Sequence, residues 1–112
     1  MQPEEGLARL GALGFDRDQC LALWEHFDHA EQQGKLGHGY SRIEWLETQT
    51  GFDPKALPKL VEYDRPGFER WDGGGGIGYL AMQAAVLHTL DVPPERARLL
   101  VLDRTFPTGM LG

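Results

Sequence analysis

Apolar residues recur at helical spacing through the first half of the chain. Leu7, Leu10 and Leu13 stand three apart, and Gly14 follows as a stop. Asp16, with Gln19 three residues on, has the form of a capping box. Behind it Cys20, Leu21, Trp24 and Phe27 line one predicted helical face, and Glu25, Asp28, Glu31 and Gln32 occupy the other. Gly34 suits the position after that helix, where positive φ is favoured. A third helix is predicted from Ser41, capped with Glu44, with Ile43 and Leu46 turned inward. Beyond Thr50 the pattern breaks at Pro54, Pro58, Pro66 and Gly67, which no long helix would tolerate. Residues 60–63 and 68–71 read as short strands joined by a turn, residues 79–90 as a helix, and 98–102 as the most strand-like run.

This order predicts an α+β fold: a helical segment, a small hairpin, a helix and a strand. Residues 1–50 would form the helical segment that carries the loop around His38, and 51–112 the start of an α/β portion. The strand at 98–102 finds no partner in this reading. A buried strand left unpaired exposes backbone donors and acceptors, so it is expected to join a larger mixed sheet. The chain is accordingly expected to be incomplete or obliged to pair.

Composition narrows the function classes. The chain has 112 residues, 41% of them hydrophobic and 25% charged, which suits one globular domain with a modest core. A net charge of −6 with scattered Lys and Arg argues against nucleic acid or an anionic membrane as partner. The acidic start is not followed by an apolar stretch, so neither a secretory signal nor a membrane span is expected. Cys20, alone of its kind and set in an apolar stripe, reads as a buried reduced thiol. A cytoplasmic location follows by elimination.

Three places could carry chemistry. Residues 73–78, Gly-Gly-Gly-Gly-Ile-Gly, satisfy the G-x-G-x-x-G fingerprint between a strand and a helix, and Asp103 ends the next strand. That reading requires 68–71 and 98–102 to be parallel neighbours, and its glycines would let the backbone approach a pyrophosphate at a helix N-terminus. Against it, Phe68-Glu69-Arg70-Trp71 alternates, whereas the first strand of such a sheet is apolar on both faces. The alternatives are a turn that permits close packing, or a helix N-terminus near a cofactor phosphate in another fold. His26 and His29 stand three apart beside Glu25 and Asp28, but no third metal ligand lies at a defined spacing, so no metal is assigned. His88, among Ala85, Val86 and Leu87, reads as partly buried and structural. His38 differs, because Gly37 and Gly39 flank it in a loop and Arg42 follows four residues later. Imidazole exchanges a proton near neutral pH, and guanidinium grips a carboxylate bidentately. The two could serve a 2-oxo or 2-hydroxy acid; on spacing alone, a turn with an exposed His and a surface Arg is the simpler reading.

The stretch 30–42, Ala-Glu-Gln-Gln-Gly-Lys-Leu-Gly-His-Gly-Tyr-Ser-Arg, resembles a block of the malate/L-lactate dehydrogenase-like family: an acidic residue, a glycine, Ser-His-Gly and then arginine. Residues 71–78, with Ala81 and Met82 behind them, are similar to its Asp-Gly…Gly-x-Gly segment. Residues 105–112 stand where it has Ser-Asn-His-Phe-Gly-x-x-Gly. The resemblance covers nearly the whole chain in order, as the N-terminal part of the family's length. It implies a non-Rossmann, usually dimeric oxidoreductase that uses NAD or NADP on a small 2-oxo or 2-hydroxy acid. It places the general acid/base on His38 and the carboxylate anchor on Arg42; it assigns no cofactor residue here. Gly37 stands for the family's serine and Pro107 for the histidine of its cofactor loop, which bears on substrate and cofactor preference. The family continues far beyond the position of Gly112, so these residues alone are expected to be inactive. The alternative is a truncated, non-catalytic homologue that serves as an interaction module.

Overall fold

A computed structural model describes residues 1–49, 51–63 and 66–106. Two helices open it, α1 (Pro3–Ala12) and α2 (Arg17–Gln32). Both halves of the capping box form: the Gln19 N–H donates to Asp16 Oδ1 at 2.8 Å, and the Asp16 N–H to Gln19 Oε1 at 3.0 Å. Gly34, at φ 78°, closes α2, with the Lys35 N–H reaching back to the Ala30 carbonyl at 2.9 Å. The buried stripe of α2 is Cys20, Leu23, Trp24, Phe27 and Ala30, so Leu23 takes the place expected for Leu21. The α1 helix crosses closely over Trp24, because a Cβ on Gly6 would stand 2.2 Å from that ring.

A 3-10 turn (Leu36–His38) leads into the short α3 (Ser41–Glu47). The expected Ser41–Glu44 capping box does not form. Tyr40 is the N-cap, with no side-chain cap, and the Ser41 hydroxyl donates instead to the Leu36 carbonyl at 2.8 Å. Ser41 stands one residue inside the helix rather than at its N-cap, and its hydroxyl is aimed at the carbonyl that the 3-10 turn brings within reach. Leu10, Phe15, Leu23, Phe27, Ile43 and Leu46 form the core between these helices, and Ile77 from the second half is buried with them.

The sheet is three-stranded, in the order β1 (Lys59–Glu62), β2 (Phe68–Asp72), β3 (Leu99–Asp103). The first two form the expected hairpin, with an irregularity between Leu60 and Glu62. The third corrects an expectation: β3 has a partner, pairing parallel with β2 from Phe68↔Leu99 to Asp72↔Asp103. The crossover is α4 (Gly78–Asp91), which gives the chain room to return in the same direction. Glu69 and Trp71 are buried while Phe68, Arg70 and Asp72 are half-buried, so β2 alternates because one face is covered. Among the described residues, the other edge of β3 has no strand.

Ala81 and Ala85 are the buried residues of α4, yet Val86, Leu87 and Leu90 on the same helix are exposed. A helix apolar nearly all round belongs inside a larger body. Among the described residues, no helix is long and apolar enough to cross a membrane.

Candidate functional site

The site grows out of the end of α2. The 3-10 turn is anchored by the His38 N–H, which donates to the Lys35 carbonyl at 2.9 Å. Gly37 faces open space, but Gly39 is buried, and its backbone lies against α2: a Cβ there would fall 2.4 Å from Glu31 Oε1 and 3.1 Å from Glu31 Cα. The two glycines around His38 therefore differ in kind. Tyr40 completes the docking. Its N–H donates to Glu31 Oε1 at 2.9 Å, its hydroxyl donates to Asp28, and its ring stacks on Trp24 at 5.1 Å. The bond to Asp28 pushes the phenol's ionisation upward from its usual range.

His38 itself is exposed, and its imidazole makes no hydrogen bond among the described residues. Arg42 is half-buried in the first turn of α3, beyond the Gly39–Tyr40 bend, with its guanidinium 4.7 Å above the Trp45 ring. That stacking restrains the guanidinium plane. Trp45 packs in turn on Phe106 at 5.4 Å, and Phe106 on Phe52 at 5.6 Å. Trp45 follows Arg42 at helical i,i+3 spacing, a signal present in the sequence. Phe106 has no comparable local signal.

The glycine run meets one requirement of the nucleotide reading and fails the other. Its flanking strands are parallel neighbours. The N–H groups of its five glycines, however, are spent. The N–H groups of Gly73, Gly75 and Gly78 donate to the carbonyls of Asp103, Arg104 and Phe106 at 2.8, 2.7 and 2.8 Å. Those of Gly76 and Gly74 go to the Gly73 carbonyl and to Asp72 Oδ1, at 3.0 and 2.9 Å. A pyrophosphate would have to displace this network, so the run does not fit one. It serves as a seam that joins residues 73–78 to 103–106, completed by the Phe106 N–H on the Gly76 carbonyl at 2.7 Å. Arg104, in the left-handed region at φ 52°, also grips Asp72 bidentately at 2.8 and 2.7 Å. With the Gly74 N–H, it holds the Asp72 carboxyl at about 2.

Of the other histidines, His29 is exposed, and His26 and His88 serve packing. His26 stacks on Tyr79 at 4.0 Å, which ties α2 to α4. His88 lies with Nε2 3.2 Å from the buried carboxylate of Glu69, which also accepts the Trp71 indole N–H at 3.3 Å and faces Arg98 at 3.6 Å. Among the described residues, no group of three or more His, Cys, Asp and Glu is placed to hold a metal. Of the stretch 105–112 that stands for the family's cofactor loop, Thr105 and Phe106 are described, and Pro107 and the residues after it lie outside the described residues.

Neither protein-family models nor curated proteins give a match to the chain. Among solved structures, delta1-piperideine-2-carboxylate reductase from Pseudomonas syringae pvar. tomato matches 96% of this chain with a TM-score of 0.79 and 21% identity. The chain spans 33% of the length of that reductase. At this identity the likeness is one of fold. The α+β arrangement of helices followed by a three-stranded mixed sheet is thus the fold of about a third of a larger reductase.

Proposed function

We propose that the chain is part of an NAD(P)-dependent oxidoreductase of the malate/lactate dehydrogenase-like kind, acting at C2 of a small 2-oxo or 2-hydroxy acid. One observation carries most of the argument. The three stretches that resemble that family are far apart in sequence, yet Phe106, in the third, is hydrogen-bonded to Gly76 and Gly78 of the second and packs on Trp45, whose ring carries the Arg42 guanidinium of the first. His38 stands at the end of the same docked loop.

In this reading Arg42 binds the substrate carboxylate and His38 gives a proton to the oxygen at C2 on reduction, taking it back on oxidation. The matched reductase is named for a cyclic imine that carries its carboxylate on the C=N carbon. Carbonyl and imine present the same arrangement: a trigonal C2, a heteroatom that needs a proton, and a carboxylate to hold. The nicotinamide supplies the hydride, and its phosphates find no cradle in the glycine run. Residues 1–50 contribute the proton-transfer loop, and 51–112 begin the cofactor-binding portion. The exposed face of α4 and the open edge of β3 support both a larger body and a homodimer. The buried free thiol of Cys20 is compatible with a reducing cytoplasm. Those same bare surfaces also favour the second reading, a non-catalytic interaction module.

The test is oxidation of NADH or NADPH by the intact protein with pyruvate, oxaloacetate and delta1-piperideine-2-carboxylate. Turnover with at least one of them, lost in His38→Ala while the fold persists, is the expected result. Full activity in His38→Ala would remove His38 from the mechanism. Saturable cofactor binding would exclude the module reading.

A further inference from the structure

We propose that Glu31 is the positioning residue of the site, fixing where the loop presents His38; this rests on the reading of His38 as the acid/base. Two observations converge on its side chain, and a third shows the neighbouring turns of α2 holding the same bend. Glu31 Oε1 accepts the Tyr40 N–H at 2.9 Å, so a charged acceptor holds the residue two beyond His38. The same oxygen lies where a Cβ of Gly39 would stand, 2.4 Å away, so the residue next to His38 rests directly on the Glu31 side chain. Asp28, one turn earlier on α2, takes the Tyr40 hydroxyl, and Trp24, a further turn back, stacks on the Tyr40 ring. Successive turns of one helix face thus seat the bend that follows His38.

The side before His38 is held less firmly. Gly37 meets nothing, and the backbone there hangs on the Lys35 carbonyl and on the Ser41 hydroxyl bond to Leu36. An exposed imidazole has no packing of its own to define its place. Its reach toward C2 of a substrate held by Arg42 is therefore set by the bend, and the bend by Glu31. Small misplacements of a proton donor cost rate more than binding. Glu31 acts through the backbone and touches no reacting atom.

The experiment compares Glu31→Ala and Glu31→Gln with wild type by amide hydrogen exchange and by the NMR signals of the His38 ring. Alanine is a better helix former than glutamate, so α2 is not weakened by the change. In Glu31→Ala the Tyr40 amide should exchange roughly ten to a hundred times faster, as loss of a bond to a charged acceptor implies. The amides of Trp24 and Phe27 should be unchanged, and the His38 ring signals should shift. Glu31→Gln keeps an acceptor oxygen and should restore most of the protection. In turnover by the intact protein, Glu31→Ala should lower kcat about tenfold or more at constant KM, with rescue by glutamine. Wild-type exchange at Tyr40 in Glu31→Ala, or equal acceleration throughout α2, would overturn the proposal. The exchange and NMR measurements involve no turnover. A loop loosened by Glu31→Ala in a protein whose His38→Ala variant stays active would refute the functional reading alone.

Discussion

Replacing Glu69 by alanine is expected to destabilise the fold by about 3 kcal/mol, the low end of the cost of breaking a buried ion pair. The carboxylate is buried, with 5% of the residue exposed, and it holds three partners: the Trp71 indole N–H, His88 Nε2 and Arg98. Removing it strands the Arg98 guanidinium and leaves the indole N–H without an acceptor, which alone costs about 1–3 kcal/mol. The two losses do not add in full. The Arg98 side chain is 13% exposed and borders a cleft of about 390 Å³ lined by Pro66, Gly67 and residues 94–98, so the guanidinium can turn toward water. His88 is already a third exposed and loses little. Glu69→Gln keeps the acceptor for Trp71 but not the charge, and should cost about half as much. Glu69→Leu combined with Arg98→Leu removes both charges but still leaves the Trp71 indole N–H without an acceptor, and should cost about 1–2 kcal/mol, less than Glu69→Ala. Urea unfolding read by tryptophan fluorescence measures all three. A loss below about 1 kcal/mol in Glu69→Ala would refute the reasoning, as would a double variant worse than the single one.

Two further perturbations address the parts that hold the site. Gly39→Ala should cost about 1–3 kcal/mol by overpacking, and it should raise amide exchange at residues 39–41 while the α2 core stays protected. The added Cβ would meet the Glu31 side chain and backbone, and an unchanged exchange pattern would contradict the docking of the loop. Asp72 titrates at about 2 against an ordinary 3.8, so its pairing with Arg104 stabilises fully above 3.8 and is lost as pH falls toward 2. Protection of the Gly73, Gly75 and Phe106 amides, taken relative to their intrinsic rates at each pH, should fall as pH drops across that window in wild type and show no such step in Asp72→Asn.

The helical half was legible in the sequence because its signals are local. The Asp16–Gln19 box, Gly34 and the apolar period of α2 each act within one turn or two. The Ser41 cap failed for a local reason as well: the 3-10 turn offers the Ser41 hydroxyl a carbonyl that the pattern does not show. The partner of β3 was hidden because pairing joins residues about thirty apart. The turn between residues 60–63 and 68–71 pointed to a hairpin, and β2 does form one, but the same strand also has a parallel neighbour. The glycine run shows how far a motif can be read. Its spacing and its parallel strands agree with a nucleotide site, and only the hydrogen bonds reveal its donors turned toward Asp103, Arg104 and Phe106. For the candidate site, the sequence offered His38 and Arg42 as residue types. It could not show that Arg42 lies over Trp45, or that Glu31 reaches nine residues along to Tyr40. Both contacts depend on how the loop folds back, which no periodicity encodes.

The most direct measurement follows the hydride. The intact protein, given pyruvate and reduced nicotinamide deuterated at C4, should yield lactate with deuterium at C2, detected by mass spectrometry. Transfer should fall by about 100-fold or more in His38→Ala, the usual contribution of a general acid, and Arg42→Ala should weaken substrate binding. Deuterium at C2 of the product that disappears with His38 is the expected result. No label with any 2-oxo or cyclic imino acid, or undiminished label in His38→Ala, would contradict the account.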